Sequence, residues 1–465
     1  DKLCINISFN IYKILASNYK KGPRLFVLNF AKNFDSICRD LINRNSMIQI
    51  FLFNKSKING TQELKYIFLQ LFKSMFPKFK NSSQSTITSI KITLDLFYKI
   101  YQKQYDNSKI MKYNSNILSA ISNKISNVTI YRSIDIHSLL YNKIINDIIP
   151  YLIGLDIKIF SQKKVLELFK PEFVLSNSNL GLSSALGYLS TDLNIKSVLI
   201  SHGSHVKHND VYSSKENEIL ARNLLVGGYQ YLAVQSPLAK EMAEHLNTKS
   251  SKIVNIKPIV WGVTPNKSSH NNSDYLTIIH AGSFKGAQRR YMYETSDEIF
   301  KGIKDLCDVV STKNNIKLII KFRFGPEFSQ KSLNVLLPHL SENISIETEK
   351  SFLNILSEVD MLVSFSSTTI EEALVNNIPV LLYGGNGRYA HIPVKPYSDE
   401  NCDIYKPVTF IKRKQDLEDY FTKLNEVGPS FNLPEEKFHK YRFRNNEAVD
   451  FVDWFSGLIN KNTEN

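Results

Sequence analysis

Cysteine is scarce in this chain. Cys4, Cys38, Cys307 and Cys402 are the only four among 465 residues, and they stand singly. No C-x-x-C pair or close histidine accompanies them, which argues against a disulfide framework or a cysteine-based zinc module and fits a reduced, cytosolic compartment. Long apolar runs are also lacking. The most apolar stretch, residues 144–160, is interrupted by Asn146, Asp147, Asp156 and Lys158, so no run of about 18 apolar residues is expected to span a bilayer. The chain begins at Asp1 rather than Met and shows no signal-peptide pattern. Asp1 is therefore expected to mark a trimmed chain or an excised region, with a flanking domain left open.

What is present is enough for a large core, since 43% of residues are hydrophobic and 11% aromatic. At roughly 100–200 residues per domain, the length points to two large domains. Charge is unevenly placed. Residues 1–130 hold 20 Lys and Arg against 6 Asp and Glu, whereas the remaining residues hold 38 of each, so the first third carries the whole formal excess of +14. Clusters at 20–24 and 73–80, the latter interleaved with Phe72, Phe76 and Phe79, suit an anionic membrane surface or a polyanionic acceptor, or equally a solvated face. Nucleic acid is not expected as a partner, because no zinc-finger or RNP-type pattern goes with the charge.

From about residue 172 onward, short β-branched runs alternate with helical-period stretches, as in βαβ units that build parallel sheets. Strands are expected at 173–176, 197–201, 231–235, 276–280, 316–322, 344–347, 361–365 and 379–382, and earlier at 25–30 and 48–53, with a mostly helical stretch over 62–168 between them. Many end in Ser, His or Gln, at the carboxyl edge where α/β sheets gather ligands. Residues 262–274 are rich in turn formers and read as a hinge. The expected domains are therefore 1–262 and 263–444, with 445–465 a C-terminal helix crossing back to the first. No internal repeat is evident.

The clearest chemical signal lies at 361–380, a buried strand, the turn Ser366-Ser367-Thr368-Thr369, a helix opening with Glu371 and Glu372, then Asn376-Asn377-Ile378-Pro379-Val380. Hydroxyls and backbone N–H groups at a helix start suit a phosphate, and a glutamate one turn in can accept both hydroxyls of a ribose. The competing reading is an ordinary capping box, Ser or Thr followed three residues later by Glu. Residues 276–286 give a strand and a glycine turn with His280, Gly282, Ser283 and Lys285, followed by Arg290, where backbone amides and cations could meet a phosphate. Lys321 and Arg323 alternate on the next strand and need an anion there, either a carboxylate or a donor phosphate.

Residues 361–380 resemble the donor-site signature of GT-B glycosyltransferases, and the hydroxyl turn more narrowly resembles bacterial surface-polysaccharide transferases that use CMP-activated acidic sugars such as Kdo. The resemblance covers residues 172–385. It implies an α/β fold of two Rossmann-like domains facing a cleft, with an N-terminal acceptor-binding domain carrying a helical insertion and a C-terminal domain binding the nucleotide-sugar. It places the ribose-binding glutamate at Glu372.

Strand-then-His-Gly at 197–210, with His202, His205, His208 and Asp210, resembles the catalytic loop of CDP-glycerol and Kdo-type transferases, and near-neutral titration suits His202 to proton transfer. A metal held by the three histidines is not expected from their i, i+3, i+6 spacing. Retaining Kdo transferases need a carboxylate after the preceding strand, where this chain has Asn177; either the carboxylate lies elsewhere, with Asp210 and Glu172 as candidates, or the protein inverts, or Asn177 stands in place of an Asp in a trapped variant.

The expected activity is transfer of a sugar from a nucleotide-activated donor, CMP-Kdo or a similar CMP-linked acidic sugar, to a growing bacterial surface glycan such as capsule or lipopolysaccharide. No cofactor beyond that donor is expected. The acceptor would be a glycan or lipid-linked glycan, and the location cytoplasmic or peripheral on the inner membrane. The alternatives are a nucleotide-sugar epimerase of the same fold and a non-catalytic glycan-assembly partner.

Overall fold

The structure, a computed structural model, describes residues 7–8, 10–13, 23–28, 34–44, 49–54, 89–102, 115–116, 119–120, 130–131, 134–135, 142–203, 206–208, 210–246, 251–259, 261, 274–282, 296–321, 335, 337, 340–385, 387 and 389–463. In chain order its elements begin with β1 (Arg24–Leu28), α1 (Phe34–Arg44), β2 (Gln49–Asn54), β3 (Ser89–Thr93) and α2 (Leu94–Tyr101). The short pair β4 (Ile130–Tyr131) and β5 (Ile134–Asp135) precedes α3 (Ile149–Phe169), which is entered through a π-helical turn, Ile144–Ile148. There follow β6 (Phe173–Ser176), α4 (Leu182–Asp192), β7 (Lys196–Ile200), α5 (Val211–Leu225), β8 (Tyr231–Val234), α6 (Pro237–His245) and β9 (Lys252–Asn255). Next come β10 (Leu276–Ala281), α7 (Ser296–Ser311), β11 (Ile316–Lys321), β12 (Ile344–Glu347), α8 (Phe352–Leu356), β13 (Met361–Ser364) and α9 (Thr369–Val375). The chain closes with β14 (Val380–Leu382), β15 (Val408–Phe410), α10 (Lys414–Val427) and α11 (Phe451–Thr463).

Seven strands form one sheet in the order β3-β2-β1-β6-β7-β8-β9, and six form a second in the order β12-β11-β10-β13-β14-β15. Every neighbouring pair in the second sheet is parallel, as are β1/β2, β2/β3, β1/β6 and β8/β9 in the first. This is the α/β class that the alternating strand and helix signals predict. The inner strands read as nearly continuous apolar runs because helices cover both faces of such a sheet. Met361, Leu362 and Val363 of β13 and Leu276, Ile278 and Ile279 of β10 supply the centre of a core that α7, α9 and α10 close over.

By contact the chain divides into two units, residues 1–30, 38–198 and 227–230 in one and residues 31–37, 199–226 and 231–465 in the other. The first is built round β1, β2 and β6, with Tyr12, Phe26, Phe97 and Phe169 packed as a ring cluster beneath them. In the second, the C-terminal segment is tied to β8 and β9: Trp454 meets Tyr231 edge-on at 5.6 Å, and Asn255 Nδ2 donates to the carbonyl of Glu447 at 3.1 Å. Among the described residues no helix is long and apolar enough to cross a membrane. Lys20, Lys21, residues 73–80 and most of the expected hinge, 262–273, lie outside the described residues.

Candidate functional site

In the second sheet the strand order reverses between β10 and β13, with β11 and β12 to one side and β14 and β15 to the other. Loops leaving the carboxyl ends of such a strand pair depart in opposite directions, so a crevice opens there and ligands of open α/β sheets collect in it. The residues at these two strand ends are His280, Ala281 and Gly282 on β10 and residues 364–372 after β13. The ends are held together by Ser364, whose buried hydroxyl donates to the carbonyl of Ala281 at 2.6 Å. A Cβ at Gly282 would meet no described atom within 4 Å. The His280 imidazole is pushed down to about 4 by burial and is neutral near pH 7, a hydrogen-bonding group rather than a counter-charge.

The hydroxyl turn does not behave as an ordinary cap. Thr368 is the N-cap of α9, yet its side chain makes no cap hydrogen bond. Ser367 Oγ accepts from the N–H of Thr369 at 3.3 Å, Ser366 and Ser367 are half-buried, and Thr368 is exposed. The glutamate at the capping-box position, Glu371, points inward. It is 3% exposed, on the face of α9 shared with Leu374 and Val375, and its Oε1 lies 3.3 Å from Nε2 of His391. Glu372 is half-buried.

His391 continues inward to Tyr389, with its Nδ1 3.4 Å from the phenol oxygen. The Tyr389 ring stacks on His208 at 5.2 Å and 27°, and takes Phe365 edge-on at 5.6 Å. His208 is pushed down to about 4, first by burial and then by His391, with Asp210 opposing the fall. Its Nε2 is buried with no hydrogen-bond partner among the described residues.

His202 stands at the other end of the same loop, half-buried, with an enclosed Nδ1 that has no described partner. Burial lowers its pKa while the negative charge of Glu371 resists. The loop root is pinned by Gln235, whose backbone N–H donates to Ser201 Oγ at 3.1 Å and whose amide nitrogen donates to the Ser201 carbonyl. The Gln235 side-chain oxygen accepts from the N–H of Ile259 at 2.7 Å.

The other sequence candidates fall differently. Asn177 follows β6, where the first sheet reverses its own order between β1 and β6; it is buried, and its Oδ1 has no described partner. Asp210 is the N-cap of α5 and accepts from the N–H of Ser213 at 2.7 Å. Burial raises its pKa, but the Ser213 bonds and the nearby His208 outweigh that and leave it lowered. Glu172 accepts from the N–H of Arg24. Lys321 lies in register with Glu347 on the neighbouring strand, and its charge contributes to lowering the Glu347 pKa.

Ser283, Lys285, Arg290, Arg323 and His205 lie outside the described residues. Among those described, no group of His, Cys, Asp or Glu is placed to hold a metal ion. In the sequence Glu371 reads only as a first-turn glutamate of a capping box, and Tyr389 and His391 carry no motif. The spacing of Glu371 from Leu374 and Val375 is the signal that marks it as inward-facing.

No protein-family profile and no curated protein matches the chain. Among solved structures it is similar to UDP-GlcNAc 2-epimerase from Neisseria meningitidis bound to UDP-GlcNAc, at 12% identity and TM-score 0.47, over 94% of this chain and 99% of that one. It is also similar to S. aureus MnaA with UDP, at 12% and 0.46 over 95% and 97%, and to MurG from Acinetobacter baumannii, at 10% and 0.45 over 94% and 99%. Likenesses of this size carry no activity over to this chain. The two with a named ligand hold UDP-GlcNAc and UDP, and nothing among them supports the expected CMP-Kdo donor.

Proposed function

We propose that this chain is a GT-B-type enzyme that binds a nucleotide-activated sugar and transfers the sugar to a glycan acceptor. The observation that carries the reading is the strand-order reversal between β10 and β13, with Gly282 and the hydroxyl turn, whose Thr368 makes no side-chain cap bond, at its two strand ends. In this reading residues 263–444 bind the donor and residues 1–262 the acceptor, with residues 445–465 the crossing-back helix. Ser366, Ser367 and Thr368 face the phosphate with Gly282, and Glu372 accepts the ribose hydroxyls. Ser283, Lys285, Arg290 and Arg323 supply further polar and cationic groups, and His280 supplies a neutral hydrogen bond.

Transfer breaks the bond between the anomeric carbon and the leaving phosphate oxygen and forms one to an acceptor oxygen, whose proton passes to His202. A half-exposed imidazole kept neutral by burial can take that proton, and the nearby Glu371 carboxylate stabilises the imidazolium that results. The donor is assigned as a nucleotide-sugar without choosing its base.

Incubation with UDP- and CMP-linked sugars, with and without a glycan acceptor, tests this. Sugar release that depends on acceptor fits the proposal. An altered sugar formed without acceptor would make the protein an epimerase, and nucleotide binding with no turnover would make it a non-catalytic partner.

A further inference from the structure

Glu371 is a buried carboxylate, and such a group is costly unless a partner and hydrogen bonds compensate it. Its partner is itself buried, since His391 is 4% exposed, and the pair leads by single contacts to Tyr389, 3% exposed, and then to the ring of His208. With Nε2–H donating to Glu371, Nδ1 of His391 faces the Tyr389 hydroxyl, and the Tyr389 ring in turn stacks on His208. Three separated pieces of chain are joined in this way: the start of α9, the loop after β14, and the loop after β7 that carries His202. An apolar cluster would fill the same space without linking a charge to that loop.

We propose that Glu371 is a positioning residue, which through His391 and Tyr389 fixes the ring of His208, six residues along the chain from His202. The inference rests on the reading of His202 as the proton-transfer group and adds what sets its geometry and basicity. Glu372, one residue on and half-buried, keeps the separate task of binding the nucleotide.

The test uses the full chain with its histidine rings labelled with nitrogen-15, titrated by NMR from about pH 8 to about pH 4, the range over which histidine changes charge. His202→Gln and His208→Asn assign the two signals. Glu371→Gln keeps the volume and an acceptor for His391 Nε2–H but removes the charge. The His202 midpoint is expected to fall in this variant while thermal stability and affinity for UDP and CMP stay at the wild-type values. An unchanged His202 midpoint in a folded Glu371→Gln protein overturns the proposal.

If that variant does not fold, His391→Gln serves in its place. It removes the ring that lowers His208, so His208 should titrate above its native value of about 4, and an unmoved His208 overturns the proposal. Failure of the wild-type protein to bind any nucleotide would count against the proposed function, whereas these midpoints decide the role of Glu371 by themselves.

Discussion

Oε1 of Glu371 lies 3.3 Å from Nε2 of His391, and the two side chains are 3% and 4% exposed. The neighbouring Glu372 is half-buried. Two adjacent glutamates in one short helix thus have different environments, and they should respond differently to truncation. Glu371→Ala strands a buried imidazole and is expected to cost about 3 kcal/mol, whereas Glu372→Ala should cost under about 1 kcal/mol. Urea unfolding of the two variants checks the contrast. Equal losses would mean that the pair is not a stabilising unit.

Acid should weaken the fold over a defined window. His208 and His280 are both held near 4 by burial, below the ordinary histidine value of about 6.5. The unfolded chain therefore binds more protons between those values. Stability is full above about pH 6.5 and is lost as pH falls toward 4, by about 2–3 kcal/mol for each group. Thermal midpoints measured across that range should fall with acid, and His208→Asn should flatten the slope. A wild-type midpoint independent of pH in this window would contradict both assignments.

Gln235 ties Ser201 to Ile259 through both ends of its amide. Gln235→Leu leaves a buried N–H and a buried carbonyl without their partner, at about 1–3 kcal/mol. Beyond the stability loss read by denaturant, the His202 ring signal should broaden or move, because the root of its loop is freed. A destabilised protein with an unperturbed His202 signal would show that the loop is anchored elsewhere.

His202→Ala should lower acceptor-dependent turnover by about 10²–10⁴-fold, the usual worth of a general base, with little change in nucleotide affinity. Steady-state rates and calorimetry on the same variant separate the two. A loss confined to affinity would move His202 from proton transfer to donor binding.

The fold was legible where burial acts on both faces of a strand. β6 and β12 fall on the expected residues, and β7, β8, β10, β11, β13 and β14 within one residue at either end, because continuous β-branched runs between helical periods leave little choice. β3, β9 and β15 were not foreseen. All three are sheet edges, where Lys91, Lys252 and Asn255 replace the apolar run in the first two, and β15 is only three residues long. The C-terminal helix begins at Phe451, later than the expected 445, with the turns of 435–448 occupying the interval.

The serine turn and the His-Gly loop were visible because small hydroxyls and clustered histidines are uncommon at strand ends. The Glu371 network was not, because its partners His391 and Tyr389 lie 20 and 18 residues downstream in an irregular segment with no periodicity to mark it.

The proposed seat of the donor nucleotide is the segment from Ser366 to Glu372, and calorimetry of the full chain against UDP, CMP, GDP and CDP tests that proposal most directly. The account predicts that one of the four binds the wild-type protein and that Glu372→Ala weakens it by at least about tenfold, the worth of about 1.4 kcal/mol. Binding of none of them, or equal affinity in the variant, would contradict it.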